Sequence, residues 1–63
     1  MKKFYAMSMN NSYKFYSFAS KKMRDDAVKA NPSRLVETTS RIAHRSVSCR
    51  IYDASKLPEG YEF

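Results

Sequence analysis

Apolar and polar positions alternate with a period of two through residues 13–18, where Tyr13, Phe15 and Ser17 interleave with Lys14, Tyr16 and Phe18. That period belongs to a strand. It stops at Ala19–Ser20, and Ser20 is placed to cap a helix, its hydroxyl accepting a hydrogen bond from an otherwise orphan N–H of the first turn. Met23, Ala27 and Ala30 then recur at i, i+4 and i+7, which is one face of a helix. Pro32 ends the run, because proline disfavours the helical conformation in the residue before it, Asn31. The pattern predicts a strand that runs straight into a helix over 13–32, and the rest of the chain must cover the apolar side of that unit.

Residues 1–9 read as the preceding strand. Asn10–Asn11 suits a tight two-residue turn, since asparagine tolerates positive φ. Such a turn sets Met9 opposite Ser12. Phe4, Ala6, Ser8, Tyr13, Phe15 and Ser17 then share one face, and Lys3, Tyr5, Met7, Met9, Lys14, Tyr16 and Phe18 the other. The face with Tyr5, Met7, Tyr16 and Phe18 is expected to be the core, because Phe18 leads into the helix that packs on it. A one-residue shift in the turn reverses that assignment. Beyond the stripe of the helix lie Lys21, Lys22, Arg24, Asp25, Asp26 and Lys29, with Lys21–Asp25 and Lys22–Asp26 as local charge pairs on a solvated face.

The second half is less regular. Leu35, Val36, Glu37 and Thr38 read as a short strand, followed by a short helix over 40–45 capped by Thr39 or Ser40; one continuous helix from Ser33 is the alternative. Val47, Cys49 and Ile51 alternate with Ser48, Arg50 and Tyr52, which predicts a strand over 47–52. Residues 54–63 carry Pro58 and Gly60 and read as an irregular tail that Leu57, Tyr61 and Phe63 could tie down. The sum is an α+β fold: a small antiparallel sheet, made of an N-terminal hairpin plus one or two later strands, packed against one main helix and a short second helix, with helices on one side.

Composition narrows the function. A chain of 63 residues makes one domain, 1–63, and buries only about 60% of its unfolded surface, so a deep catalytic cleft is hard to accommodate. Five Tyr and four Phe supply one small core. Twelve Lys and Arg against six Asp and Glu leave a formal charge of +6, which attracts nucleic acid, acidic protein surfaces or anionic lipid without choosing among them. The single cysteine, Cys49, excludes an intrachain disulfide and suits a reducing cytoplasm. No apolar run approaches a membrane span, and the start, MKKFYAMSM, breaks too early for a signal peptide.

Candidate chemistry is sparse. His44 has no nucleophile or orienting group placed by a motif, and near a helix C-terminus it suits the dipole. Cys49 reads as a small buried hydrophobe. Asp25–Asp26 lacks further oxygen ligands for a metal, and Gly60 as the sole glycine excludes a phosphate loop. No cofactor is expected, and no enzymatic constellation. The basic and aromatic residues remain. Lys2, Lys3, Lys14, Lys21, Lys22 and Arg24 are interleaved with Phe4, Tyr5, Tyr13, Phe15, Tyr16 and Phe18, and Arg34, Arg41, Arg45 and Arg50 form a second set. Exposed aromatics of this kind stack bases while cations hold phosphates; the plainer reading is lysines that keep a sheet edge soluble.

The stretch FASKKMRDDAVKANP is similar in layout to small proteins encoded by phages and related mobile elements. They begin with a hairpin, pass through an aromatic–x–Ser–Lys–x–x–Arg–Asp stretch into a helix, and continue past a proline to a short Thr/Ser-started helix. Phe18, Ser20, Lys21, Arg24, Asp25, Val28, Pro32 and residues 39–45 match that layout. The resemblance implies a stoichiometric inhibitor that binds a host enzyme or defence complex, CRISPR effectors included, and carries over no binding residue. A basic chain is not a DNA mimic. The expectation is a non-catalytic, cytoplasmic binding protein that presents Lys14, Lys21, Lys22, Arg24, Tyr13 and Phe15 to a host protein or ribonucleoprotein with an acidic or nucleic-acid-binding surface. The alternative is direct binding of nucleic acid by the aromatic sheet face. An open hairpin edge would also allow a homodimer.

Overall fold

The computed structural model describes residues 2–11, 13–45 and 47–63. Strands β1 (Phe4–Ser8) and β2 (Lys14–Phe18) form an antiparallel hairpin, and helix α1 (Lys21–Ala30) follows. Strand β3 (Leu35–Thr38) pairs antiparallel with β1, the single-turn helix α2 (Ser40–Ala43) comes next, and β4 (Arg50–Asp53) pairs parallel with β2. A 3₁₀ turn (Ala54–Lys56) leads into the last residues. The sheet order is β3-β1-β2-β4. The α+β class stands, with one main helix and a short second one; the sheet is mixed because its fourth strand joins in parallel.

The helices do not share a side, and topology explains why. Strands β2, β3 and β4 all run in one direction, so β2–α1–β3 and β3–α2–β4 are both parallel crossovers. The first steps across β1 one way; the second steps back across β1 and β2 the other way. Two crossovers of the same hand that travel in opposite directions must use opposite faces. Accordingly, Ala27 and Val28 of α1 pack with Ala6, Tyr16, Phe18 and Leu35, whereas Ala43 of α2 packs with Tyr5 and Phe15 on the other face.

The hairpin register differs by one residue from the two-residue turn. Phe4 lies opposite Phe18 and Ala6 opposite Tyr16. A type I′ turn needs positive φ at both central residues, and no described non-glycine residue adopts it. Instead Asn11 builds the turn: its Oδ1 accepts from the Tyr13 N–H at 3.0 Å and its carbonyl from the Lys14 N–H at 3.1 Å. The slip regroups the faces. Tyr16 and Phe18 join Phe4 and Ala6 under α1, while Tyr5 and Met7 join Phe15 on the α2 side. The expected core face of Tyr5, Met7, Tyr16 and Phe18 is therefore split, and both faces are covered. Met1, expected to begin the first strand, and Ser12, expected opposite Met9, lie outside the described residues.

Local signals held. Ser20 Oγ accepts from the Met23 N–H at 3.2 Å, and Asn31 closes α1 with its N–H on the Ala27 and Val28 carbonyls; a cap of this kind contributes about 1 kcal/mol. Thr39 Oγ1 caps α2 through the Ile42 N–H at 3.2 Å. The helix stops at Ala43, two residues short of expectation, and His44 Nδ1–H donates to the Ser40 carbonyl at 2.8 Å. The inward positions of α1 are Arg24, Ala27 and Val28, not Met23, Ala27 and Ala30; Met23 is 48% exposed. The last strand starts at Arg50 rather than Val47, which is exposed.

Candidate functional site

The register places one end of the sheet under several cations. Phe4 pairs with Phe18 and Tyr5 with Thr38, so the start of β1 and the ends of β2 and β3 lie together. Lys2 and Lys3 precede β1, Lys21 and Lys22 open α1, and Arg41 lies in the first turn of α2. All five are exposed. At this end opens a cleft of about 400 Å³ lined by Lys2, Lys3, Phe4, Tyr5, Arg24, Thr38, Thr39 and Ser40, with Lys21, Lys22 and Arg41 outside its lining. The Phe4 ring receives two cations, Lys2 Nζ at 5.9 Å and the Arg24 guanidinium at 5.8 Å from its centroid, a favourable use of the ring's negative face.

None of these five exposed cations lies within ion-pair distance of a carboxylate among the described residues, although Asp53, held below the usual carboxylate range by its hydrogen bonds from Ser55, also feels Lys3. Among the described residues the ion pairs are Arg24–Asp25, Arg24–Glu37 and Arg34–Glu62, at 2.7, 3.3 and 3.9 Å. The expected Lys21–Asp25 pair does not form, because Asp25 turns to Arg24, and the expected Lys22–Asp26 pair does not form either. Lys21 and Lys22 also stand in the first turn of α1, which has no acidic residue. There the helix dipole disfavours positive charge by roughly 0.3–1 kcal/mol per group at low salt.

Two of the six residues expected to meet a partner are inside the fold. Phe15 is 0% exposed, sealed by Tyr5, Ala43, Met7, Cys49 and Ile51. It is not available for stacking, because α2 and the chain leading to β4 cover a face that the alternation alone left open. Arg24 is 7% exposed. Its guanidinium lies over Phe4 and bonds Asp25 and Glu37, and Glu37 stands opposite Ala6 on the α1 face. Arg24 is thus a structural tie between α1 and β3. Tyr13 is 54% exposed but lies at the hairpin turn, at the far end from Lys21 and Lys22. The structure gathers Lys21 and Lys22 with Lys2 and Lys3; only the strand register carries that information.

Lys14 occupies different surroundings. Its Nζ lies 5.6, 5.4 and 5.6 Å from the ring centroids of Tyr16, Tyr52 and Tyr61. The Tyr16 and Tyr61 hydroxyls are 3.0 Å apart. The phenol oxygens of Tyr61 and Tyr16 hold the Lys14 ammonium above the ordinary lysine range. In return Lys14, with the Tyr16 hydroxyl, lowers the Tyr61 phenol, while burial raises that of Tyr16. Tyrosine titration followed by NMR is therefore expected to show Tyr61 ionising below the ordinary phenol range and Tyr16 above it. Lys14→Met removes the ammonium that favours the phenolate, so Tyr61 should move upward. A Tyr61 titration unchanged by that substitution would show that Lys14 is not its partner.

Other chemistry-bearing groups are engaged structurally. The His44 ring meets the Tyr5 ring edge-on at 5.5 Å besides its bond to Ser40. Cys49 is half-buried against the second core and forms no disulfide. Among the described residues no group of three or more His, Cys, Asp or Glu gathers to hold a metal ion, and no helix is long and apolar enough to cross a membrane. No family model, curated protein or solved structure matches the chain.

Proposed function

We propose that the chain is a non-catalytic binding protein that engages an acidic surface of a protein or nucleoprotein with its lysine-rich end. In the manner of the phage-type inhibitors it resembles, it would act stoichiometrically in the host cytoplasm, blocking whatever its target otherwise binds. The convergence of Lys2, Lys3, Lys21 and Lys22 carries this reading. None makes a close ion pair with a carboxylate among the described residues, and two of them, Lys21 and Lys22, oppose a helix dipole. Exposed charge with no close ion pair is available for a partner and speeds encounter with an acidic one. The free thiol of Cys49 accords with a reducing compartment.

Direct nucleic-acid binding would use the same cations on phosphates, without the stacking face that Phe15 was expected to provide. Fluorescence anisotropy with labelled single- and double-stranded oligonucleotides at about 50 and 200 mM salt separates the two. Weak binding that disappears at the higher salt is expected. In parallel, a protein captured from host lysate at physiological salt should be lost on Lys21→Glu with Lys22→Glu, both exposed and distant from the core. Oligonucleotide binding that survives the higher salt would replace this reading with nucleic-acid recognition. Capture indifferent to the charge reversal would remove the lysine end from the interface.

A further inference from the structure

Residues 57–63 lie across the face of the sheet that also carries α1. Leu57, Tyr61 and Phe63 pack against the cluster of Ala6, Tyr16, Phe18 and Leu35. A turn aims the rings: the Tyr61 N–H donates to the Pro58 carbonyl at 3.1 Å, and Gly60 takes φ 78°, the left-handed position that a type II turn reserves for glycine. Phe63 meets the Tyr16 ring at 4.8 Å and 88°, Tyr61 meets it at 6.0 Å and 69°, and the two incoming rings are 5.3 Å apart. Between them in sequence, Glu62 reaches Arg34 at 3.9 Å.

Among the described residues, no backbone hydrogen bond joins 61–63 to the sheet. The segment is held by its side chains: two rings on Tyr16, one hydroxyl on the Tyr16 hydroxyl, one carboxylate near Arg34. It is also of opposite charge to its seat. Glu59 and Glu62 are two of the six carboxylates of the whole chain. Glu62 approaches Arg34 at the margin of a face that also carries Lys14 and Arg50. Recognition by side chains alone, with complementary charge, does not require that the bound segment belong to the same molecule.

We propose that this face, centred on Lys14, Tyr16 and Tyr52, is a recognition site for an extended peptide of the pattern aromatic–acidic–aromatic, and that Tyr61-Glu62-Phe63 fills it in cis. The natural occupant in trans is a protein segment of the same pattern. The inference shares with the proposed function the premise of an acidic partner, but it uses a different surface. The cis segment competes at an effective concentration of about millimolar, as a short tether dictates. Its single long ion pair is solvent-exposed, with Arg34 and Glu62 side chains 49% and 86% accessible, so the hold on the segment rests mainly on the two rings, the Tyr61–Tyr16 hydroxyl bond and the Lys14 ammonium over Tyr61.

The test uses the full chain carrying Tyr61→Ala and Phe63→Ala, and a synthetic peptide with the sequence of residues 58–63. NMR titration is expected to show the peptide binding the double variant at least about tenfold more tightly than the wild type, because the cis competitor is gone. The Lys14 and Tyr16 signals should return towards their wild-type positions. A peptide with alanine in place of both rings should not bind. Equal affinity for both proteins, or no binding to a folded double variant, would overturn the proposal. Should the double variant not fold, excess peptide added to labelled wild type must shift the Phe63 ring signals towards free values; unmoved signals would overturn it equally. Lys21→Glu with Lys22→Glu should bind the peptide as the wild type does. Loss of peptide binding there would transfer the site to the lysine end, whereas retained peptide binding with no lysine-dependent partner would leave this site standing and the proposed function fallen.

Discussion

Phe15→Ala is expected to lose about 3–5 kcal/mol of stability, the range for truncating a fully buried aromatic. The residue is 0% exposed and lies at the centre of the second core, between Tyr5, Ala43 and Ile51. A chain of 63 residues has only roughly 3–9 kcal/mol in total, at about 0.05–0.15 kcal/mol per residue. Truncation should therefore leave much of the population unfolded at room temperature. Tyr13, two residues earlier and 54% exposed, provides the control: Tyr13→Ala should stay within about 0.5 kcal/mol of wild type. Urea denaturation followed by circular dichroism measures both. Equal stability of the two variants would mean that α2 and the segment before β4 do not seal this face in solution. The contrast also matters for function, since any loss of binding in Phe15→Ala has to be read as loss of fold.

Arg24 should show a ranked series, Arg24→Glu worst, Arg24→Ala intermediate and Arg24→Met mildest. Its stem fills the space between α1 and Phe4, and its guanidinium joins Asp25 and Glu37. Alanine removes both packing and pairing. The cost is about 2 kcal/mol, below that of breaking a fully buried pair, because the carboxylates left behind are 48% and 68% exposed and remain hydrated. Methionine keeps the stem volume and loses only the charge, at about 1 kcal/mol or less, since the two carboxylates left unpaired are about half or more exposed and stay hydrated. Glutamate would set a third carboxylate beside two others in a nearly closed site, and should cost about 3 kcal/mol or more. Thermal and urea unfolding of the three variants tests the order. An Arg24→Glu protein as stable as wild type would contradict the tie between α1 and β3 and return Arg24 to the list of residues free to meet a partner.

The two results bear on each other. Both residues belong to the basic and aromatic set from which a partner surface is drawn at the level of sequence, and both are consumed by the fold. Apart from the exposed arginines Arg34, Arg41, Arg45 and Arg50, what remains is narrower: four lysines at one end of the sheet, Tyr13 at the other, and the Lys14 box under residues 61–63. A surface scan restricted to these positions separates binding from stability, which the full set would not.

The amino-acid sequence by itself determined the strand that runs into a helix, the cap at Ser20 and the stop at Asn31–Pro32; it narrowed the second cap to Thr39 or Ser40 and left Leu35–Thr38 as a strand or part of a helix from Ser33, and the structure chose Thr39 and the strand. Each rests on interactions within a few residues: a period of two, a hydroxyl on an N–H three positions on, a proline ring against its predecessor. It also determined the excess of positive charge and the sparse catalytic inventory. Only the tertiary structure decided the rest. The hairpin carries aromatics on both faces, so its pattern is satisfied equally by two registers, and the Asn11 turn selects one; that one-residue difference regroups every side chain of β1 and β2. The handedness of two opposed crossovers put α2 beneath the sheet and closed the face that holds Phe15. Arg24 looks like a surface residue because its partner Glu37 belongs to another strand, and the gathering of Lys2 and Lys3 with Lys21 and Lys22 depends on the same long-range pairing. Local rules reach one turn of helix or one step of strand; the candidate sites are assembled from segments that meet only after the sheet has closed.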